Sequence, residues 1–502
     1  MILDRETALQ FLKEQRKIMN YMNSTLSVVS WDTEVMAPEE AIDYRSEVIG
    51  YLSSSYHQLT TDPKIEQALD ALSGEDSELS LCEKRLIEDF VDIYCKNKKI
   101  PESLQKELSM ATALSNKFWK KAKEKEDYEL FKPYLDRVVD LLKQQAECVG
   151  YEGHIYNAFL DNFEKGMTVE ELDRIFTVLK EGLVKLLVEL REAKKLSCHR
   201  PQGPFPKELQ SQFSFFILNQ MGYRVHEAGR LDETEHPFTA FLGPHDIRIT
   251  THYYENSIES ALFSTIHEGG HAIYDQNMPH EQADYGINEA PSMGLHESQS
   301  RFYENIIGRS LPFWRAYFPK LQEFLPSYQS VSLEEFYQMI NEVSPSLIRT
   351  EADEVTYSLH IIIRYEIEKL MVSGEIGIDE LPMIWNQKYK EYLGVEPQND
   401  TEGLMQDVHW AEGMIGYFPS YALGNLYGAQ FYHQMKKELP QLMDAVEAGN
   451  LSIIFDWLKQ NVHSYGKLYT PGQLIEHVTK EPLNPQYFLD YLREKYLKIY
   501  QL

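Results

Sequence analysis

The chemistry in this chain is concentrated in one pentapeptide, His267-Glu268-Gly269-Gly270-His271. Residues four apart share a face of a helix, so the two imidazoles can address one metal ion with Glu268 beside them. A catalytic zinc takes three protein ligands and keeps one position for water, whose pKa falls to about 7. A neighbouring carboxylate then removes the water's proton and delivers it to a leaving amine. The third ligand is expected to be Glu297, in His296-Glu297-Ser298-Gln299, some two dozen residues further on. That spacing is the arrangement of zinc peptidases whose third ligand is glutamate. His296 and Glu304 compete for the role.

These groups need a frame. Residues 258–274 place Ile258, Ala261, Leu262, Thr265, Ile266, Gly269 and Ala272 on a helical stripe, with Asn256 and Ser257 as candidate N-caps. Two glycines inside a helix cost about 1 kcal/mol each relative to alanine. A strand, a substrate or a second helix packed closely on that backbone would account for them. Residues 293–307 predict a second helix, carrying Glu297. Just before the first one, residues 236–254 read HPFTAFLGPHDIRITTHYY, two short β-rich runs around Gly243-Pro244, which predicts a hairpin. An exposed strand edge there would hold an extended peptide by backbone hydrogen bonds.

Elsewhere the chain reads as helix, so the fold class is mainly α with a small β-sheet beside the metal helix. Residues 168–196 open on Thr168 and Glu171 as a capping box and run Leu172, Ile175, Phe176, Leu179, Leu183, Leu186, Leu187 and Leu190 along one face. Ser332 and Glu335 make a similar start. The segment 198–206, with its prolines and glycine, is the best candidate for a break between two halves of a single unit spanning 1–502.

Composition narrows the classes. With 502 residues, 43% hydrophobic and 25% charged, the chain is ordinary globular material. A formal charge of −29 argues against a nucleic-acid partner and makes any site for an anionic substrate depend on local cations. No stretch approaches the roughly 18 uncharged apolar residues of a membrane span. The N-terminus lacks the apolar core of a secretory signal, which predicts a cytoplasmic protein. Cys82, Cys95, Cys148 and Cys198 lack metal-site spacing and read as reduced thiols.

Several further segments stand in order along the chain: Trp31-Asp32-Thr33-Glu34-Val35-Met36-Ala37-Pro38, His236-Pro237-Phe238, Asp246-Ile247-Arg248-Ile249-Thr250, Ile348-Arg349-Thr350-Glu351-Ala352-Asp353, and Gly403-Leu404-Met405-Gln406-Asp407-Val408-His409-Trp410. Together with HEGGH and HESQ they resemble the metallocarboxypeptidases of the carboxypeptidase Taq type. The resemblance implies a large, nearly all-helical peptidase with a deep central groove, usually a homodimer. It also implies removal of single amino acids from free peptide C-termini, with broad preference and poor release of proline.

Roles follow from both readings. A terminal carboxylate is best recognised by an arginine fork, and Arg349 is the leading candidate. It is expected on a helix over 346–371, where Arg349, Asp353, Thr356, His360 and Arg364 form a polar stripe that periodicity alone would expose to solvent. The resemblance places Arg349 and Asp353 with the substrate-binding residues, together with His236, Arg248 and Thr250. Of these, Arg248 and Thr250 match a motif that lines and closes the groove, and the plain alternative for Arg248 is an ion pair with Asp246. His409 and Tyr421 resemble the donors that glutamate-ligand zinc peptidases hold opposite the metal, with Tyr417 a competitor for Tyr421. Glu268 is the expected base, and Co2+ or Mn2+ would also suit a Zn2+ site with these ligands. The rival readings are a zinc oligopeptidase cutting inside short peptides and a non-enzymatic helical zinc-binding protein.

Overall fold

A capped apolar helix supplies the simplest piece of the architecture. Thr168 accepts the backbone N–H of Glu171 at 3.3 Å, and the leucine-rich stripe behind it is buried along the helix Val169–Glu192. Each such side chain contributes about 1.5–3 kcal/mol on burial. Only half of the predicted capping box forms, because the Glu171 carboxylate turns to Arg174. The box at Ser332 and Glu335 is complete.

The computed structural model describes residues 3–74, 79–193, 196 and 200–502. Cys198 lies outside the described residues, and the helix expected over 168–196 ends at Glu192, where Ala193 takes an extended backbone. Of the remaining cysteines, Cys82, Cys95 and Cys148 are free thiols. No described helix is long and apolar enough to cross a membrane.

Ten helices and one sheet suffice to locate the site: α1 (Arg5–Val35), α2 (Ile42–Thr60), α3 (Pro63–Leu72), α4 (Leu81–Lys99), α5 (Val169–Glu192), α6 (Lys207–Met221), α7 (Glu259–Gln276), α8 (Met293–Arg301), α9 (Tyr357–Ser373) and α10 (Phe418–Glu438). Residues of α1, α3 and α4, including Leu12, Ile65 and Phe90, form a small apolar cluster of their own. The main core extends from Ala122 to Tyr500 and includes residues on both sides of 198–206, among them Leu190 and Phe205.

The sheet has three strands in the order β1-β3-β2, with β1 (Gly229–Glu233) parallel to β3 (Asp246–Thr251) and β2 (Thr239–Gly243) antiparallel to it. The hairpin expected over 236–254 is present as β2 and β3, and β2 is an edge strand. The strand β1 has no signal in the sequence beyond its neighbours.

Three local expectations change. The helix α7 begins at Glu259 behind Ile258 with no side-chain cap, so neither Asn256 nor Ser257 caps it. The second helix is α-helical only to Arg301 and continues over Phe302–Ile307 as a π-helix. Arg349 does not stand on a long helix: it opens a 3-10 turn, Arg349–Glu351, and α9 starts at Tyr357. The Asp353 carboxylate accepts the backbone N–H groups of Ser344, Val355 and Thr356 and the Thr356 hydroxyl. Those bonds hold the chain in a turn where periodicity alone would continue the helix.

Candidate metal centre and substrate site

Close backbone approach builds this site. A Cβ on Gly270 of α7 would come within 2.7 Å of the Gln299 carbonyl oxygen and 2.8 Å of the Ser300 Cα. One on Gly269 would meet the Leu218 side chain of α6 at 2.7 Å. On the far side, Gly424 of α10 lies against Glu297, whose Cγ is 2.5 Å from where a Cβ would stand. The paired glycines therefore serve tight helix packing, with α8 held between α7 and α10.

This packing brings the ligand atoms of His267, His271 and Glu297 within 4.8 Å of one another, the one such cluster among the described residues. His267 Nε2 and His271 Nε2 lie 3.5 and 3.3 Å from the same carboxylate oxygen, Oε2 of Glu297. Two atoms bound at about 2.0–2.1 Å to a tetrahedral cation are about 3.3–3.4 Å apart, so the donor set fits a divalent metal.

Glu297, Arg301 and Glu304 fall at i, i+4 and i+7 and share one face. Arg301 donates from Nε to Glu297 Oε1 at 2.7 Å and from Nη1 to Glu304 Oε2 at 3.3 Å. Glu304 Oε2 also lies 2.8 Å from His267 Nδ1, which fixes that ring with Nε2 facing the cluster. Burial works against both carboxylates. Arg301 and the imidazoles overcome it, holding Glu297 well below the usual carboxylate range and Glu304 at about 2. Glu304 is thus committed to orienting His267. The other competitor, His296, is tied by Nε2 to Asp275 at 2.9 Å and stacks on His271 with ring centroids 4.5 Å apart.

Glu268 is buried, and its carboxylate accepts the Thr239 hydroxyl at 2.6 Å. The edge strand β2 therefore touches the candidate base directly. A cleft of about 1080 Å³ runs past this point, walled by Asn20, Ser24 and Trp31 of α1 and by Phe238 and Thr239, and reaches Asp275 and His296.

The second group of candidates surrounds Asp407. Arg349 is buried, with Nε and Nη2 on Asp407 Oδ1 at 3.0 and 2.8 Å and Nη1 on the Tyr357 hydroxyl at 3.0 Å. The other oxygen, Oδ2, receives Arg364 from Nε at 2.7 Å and Nη2 at 2.6 Å. Arg364 and His360 are fully buried, which corrects the expectation of a solvated polar stripe. His360 reaches the Tyr389 hydroxyl from Nδ1 at 3.0 Å.

His409 Nε2 lies 3.1 Å from the Tyr421 hydroxyl. Burial, with Arg349 and Arg364 close by, pushes this imidazole down to about 4 despite Asp407. It is therefore neutral at physiological pH. Tyr417 packs on Tyr421 with centroids 5.1 Å apart, and burial moves its hydroxyl up to about 12.

Three predicted substrate residues have other partners in this structure, and a fourth is exposed. Arg248 forms a fork on Asp246 at 2.8 Å and lies 4.4 Å over Trp31, as the plain alternative expected. Thr250 is fully buried, and its hydroxyl accepts Phe238 N–H at 2.9 Å within the sheet. Asp353 caps its turn. His236 is exposed. Residues that the motifs did not assign include Arg301, Tyr357, Thr239 and Asp407. The i, i+4, i+7 spacing from Glu297 is the signal that would have found Arg301.

The model of the carboxypeptidase Taq (M32) metallopeptidase family matches residues 11–496. The chain is 42% identical to Carboxypeptidase 1 of Bacillus subtilis (strain 168) over 495 residues, covering 98% of both. It is 40% identical to Thermostable carboxypeptidase 1 of Thermus thermophilus, covering 99% of both. Its fold is similar to a solved Pyrococcus furiosus carboxypeptidase, with a TM-score of 0.95, 35% identity and coverage of 99% and 100%.

Proposed function

The chain belongs to the carboxypeptidase Taq (M32) metallopeptidase family, and from that membership we propose how its residues release single amino acids from peptide C-termini. It is a metallocarboxypeptidase with a His/His/Glu metal-binding cluster. In the proposed site His267, His271 and Glu297 would hold zinc, for which cobalt or manganese would substitute. When bound, the metal lowers the pKa of water and polarises the peptide carbonyl.

Glu268 takes the proton of the attacking water and returns it to the departing amino group. Its carboxylate is oriented for this by Thr239. Neutral His409 donates from Nε2 to the Tyr421 oxygen, which turns the Tyr421 O–H toward the oxygen on which charge develops. Tyr421 is preferred to Tyr417 because it bonds to His409. Arg349 receives the terminal carboxylate.

The observation that carries the last assignment is a charge count. Two guanidiniums, Arg349 and Arg364, share the single carboxylate of Asp407. Glu368, the carboxyl of α9 that feels Arg364, is pushed up to about 7 by burial and is only partly ionised at neutral pH, while Glu366 is paired with Lys180 and Lys388. A buried surplus of positive charge remains, inside a protein whose formal charge is −29. An anionic group of the substrate would complete it.

The remaining proposals rest on the family resemblance: broad side-chain preference with poor release of proline, a single peptidase unit and a homodimer. Mass analysis of a peptide digest over time tests the reaction. Successive loss of single C-terminal residues, abolished by chelation and restored by zinc, is expected. Internal cuts would overturn it.

A further inference from the structure

The metal cluster and the Arg349 clamp stand on different elements, and among the described residues no hydrogen bond or ion pair joins Arg349 directly to His267, His271, Glu297 or Glu304. One side chain spans the gap. Tyr357, on the first turn of α9 and 4% exposed, carries the Arg301 guanidinium 4.1 Å over its ring. Its hydroxyl accepts Arg349 Nη1 at 3.0 Å. Arg301 is in turn bonded to Glu297 and Glu304. The result is a continuous chain of contacts from the ligand carboxylate, through Arg301 and Tyr357, to the clamp.

We propose that Arg301 and Tyr357 are positioning residues that fix the separation between the metal site and the Arg349 clamp, and so set cleavage at one residue from the peptide's end. This rests on the reading of Arg349 as the receiver of the terminal carboxylate. An extended chain advances about 3.3–3.6 Å per residue, so a clamp free to shift by that distance would accept a dipeptide beyond the scissile bond. Shifts near 1 Å are enough to cost about 100-fold in rate. A ring held on its face by one guanidinium, whose side chain is 14% exposed, and at its hydroxyl by a second, buried one has little freedom to allow either. Tyr421, edge-on to Tyr357 with centroids 6.5 Å apart and 4.8 Å beneath the Arg349 guanidinium, is braced by the same contacts.

The substitution Tyr357→Phe keeps the ring on Arg301 and removes only the acceptor for Arg349. On zinc-loaded enzyme and an N-acylated peptide acid, kcat/KM is expected to fall about 10- to 100-fold. Dipeptide should appear among the first products, while zinc affinity, read by chelator competition, stays at the parent value. Arg301→Lys, which keeps a cation near Glu297 but gives up the stacked fork, should show the same product drift and also weaken zinc binding. Arg349→Gln serves as the control for the underlying reading. If Arg349→Gln abolishes the preference for acid over amide while Tyr357→Phe and Arg301→Lys release only single residues at parental kcat/KM, the spacer role is overturned alone. If Arg349→Gln leaves the preference intact, the clamp reading falls and the spacer role with it.

Discussion

Glu304 Oε2 sits 2.8 Å from Nδ1 of His267 while Arg301 holds the same oxygen at 3.3 Å. The carboxylate is ionised at any working pH, since its pKa lies at about 2, so Nδ1 carries a proton and, in the neutral ring, Nε2 keeps the lone pair. The histidine is therefore locked in the tautomer that a metal needs. Glu304→Gln should weaken zinc binding by about 10- to 100-fold, measured by competition with a chromogenic chelator. Parental affinity in this variant would show that the ring is oriented by packing alone.

Glu268 is not among the clustered ligand atoms, yet it is buried beside them with Thr239 on its carboxylate. Glu268→Gln should retain zinc at parental affinity and lose about 10²–10⁴-fold in kcat. Metal-loaded variant with near-parental turnover would assign the base elsewhere.

Gly270→Ala sets two effects against each other. Alanine gains about 1 kcal/mol of helix propensity, but its Cβ would stand 2.7 Å from a backbone oxygen of α8, which cannot rotate away as a side chain would. The clash wins, and we expect a loss of about 1–3 kcal/mol in urea unfolding together with weaker zinc binding. Gly472, with nothing within 4 Å of a built Cβ, provides the contrast: Gly472→Ala should be neutral or stabilising.

Glu164 is buried against the start of α8, accepting Gly294 N–H at 3.2 Å and the Tyr427 hydroxyl at 2.7 Å. Burial pushes its carboxyl up to about 7. Between about pH 4.5 and 7 the unfolded chain has released a proton that the folded chain still holds, so this group makes stability fall as pH rises through that window. The cost is fully present above it and is on the order of 3 kcal/mol. Glu164→Gln should therefore gain stability over the parent between about pH 5 and pH 8, read from urea midpoints. An equal pH dependence in the two proteins would contradict the assignment.

The sequence made legible what depends on local pattern. The leucine stripe of α5, the hairpin, the histidine pair and the spacing to Glu297 all follow from periodicity and residue type. What it hid depends on partners distant in the chain. The polar face of α9 reads as solvated, because periodicity cannot distinguish a residue facing water from one such as Arg364 that finds Asp407 inside the protein. The turn at Arg349 depends on the Asp353 side chain capturing backbone N–H groups before α9 begins. The paired glycines fit a substrate or a packed helix equally well in the sequence, and only the distant Gln299 and Ser300 against Gly270 and Leu218 against Gly269 decide for packing. His296 is drawn out of the ligand set by Asp275, a distinction that adjacency to Glu297 could not make.

The central claim is that the site reads the peptide's terminal carboxylate through Arg349. Its most direct test is kcat/KM on a matched peptide acid and peptide amide, measured with the zinc-loaded parent and with Arg349→Gln. The account predicts that the parent prefers the acid by at least about 30-fold and that this ratio collapses toward unity in the variant, with zinc content unchanged. A ratio near unity in the parent, or one preserved in Arg349→Gln, would contradict it.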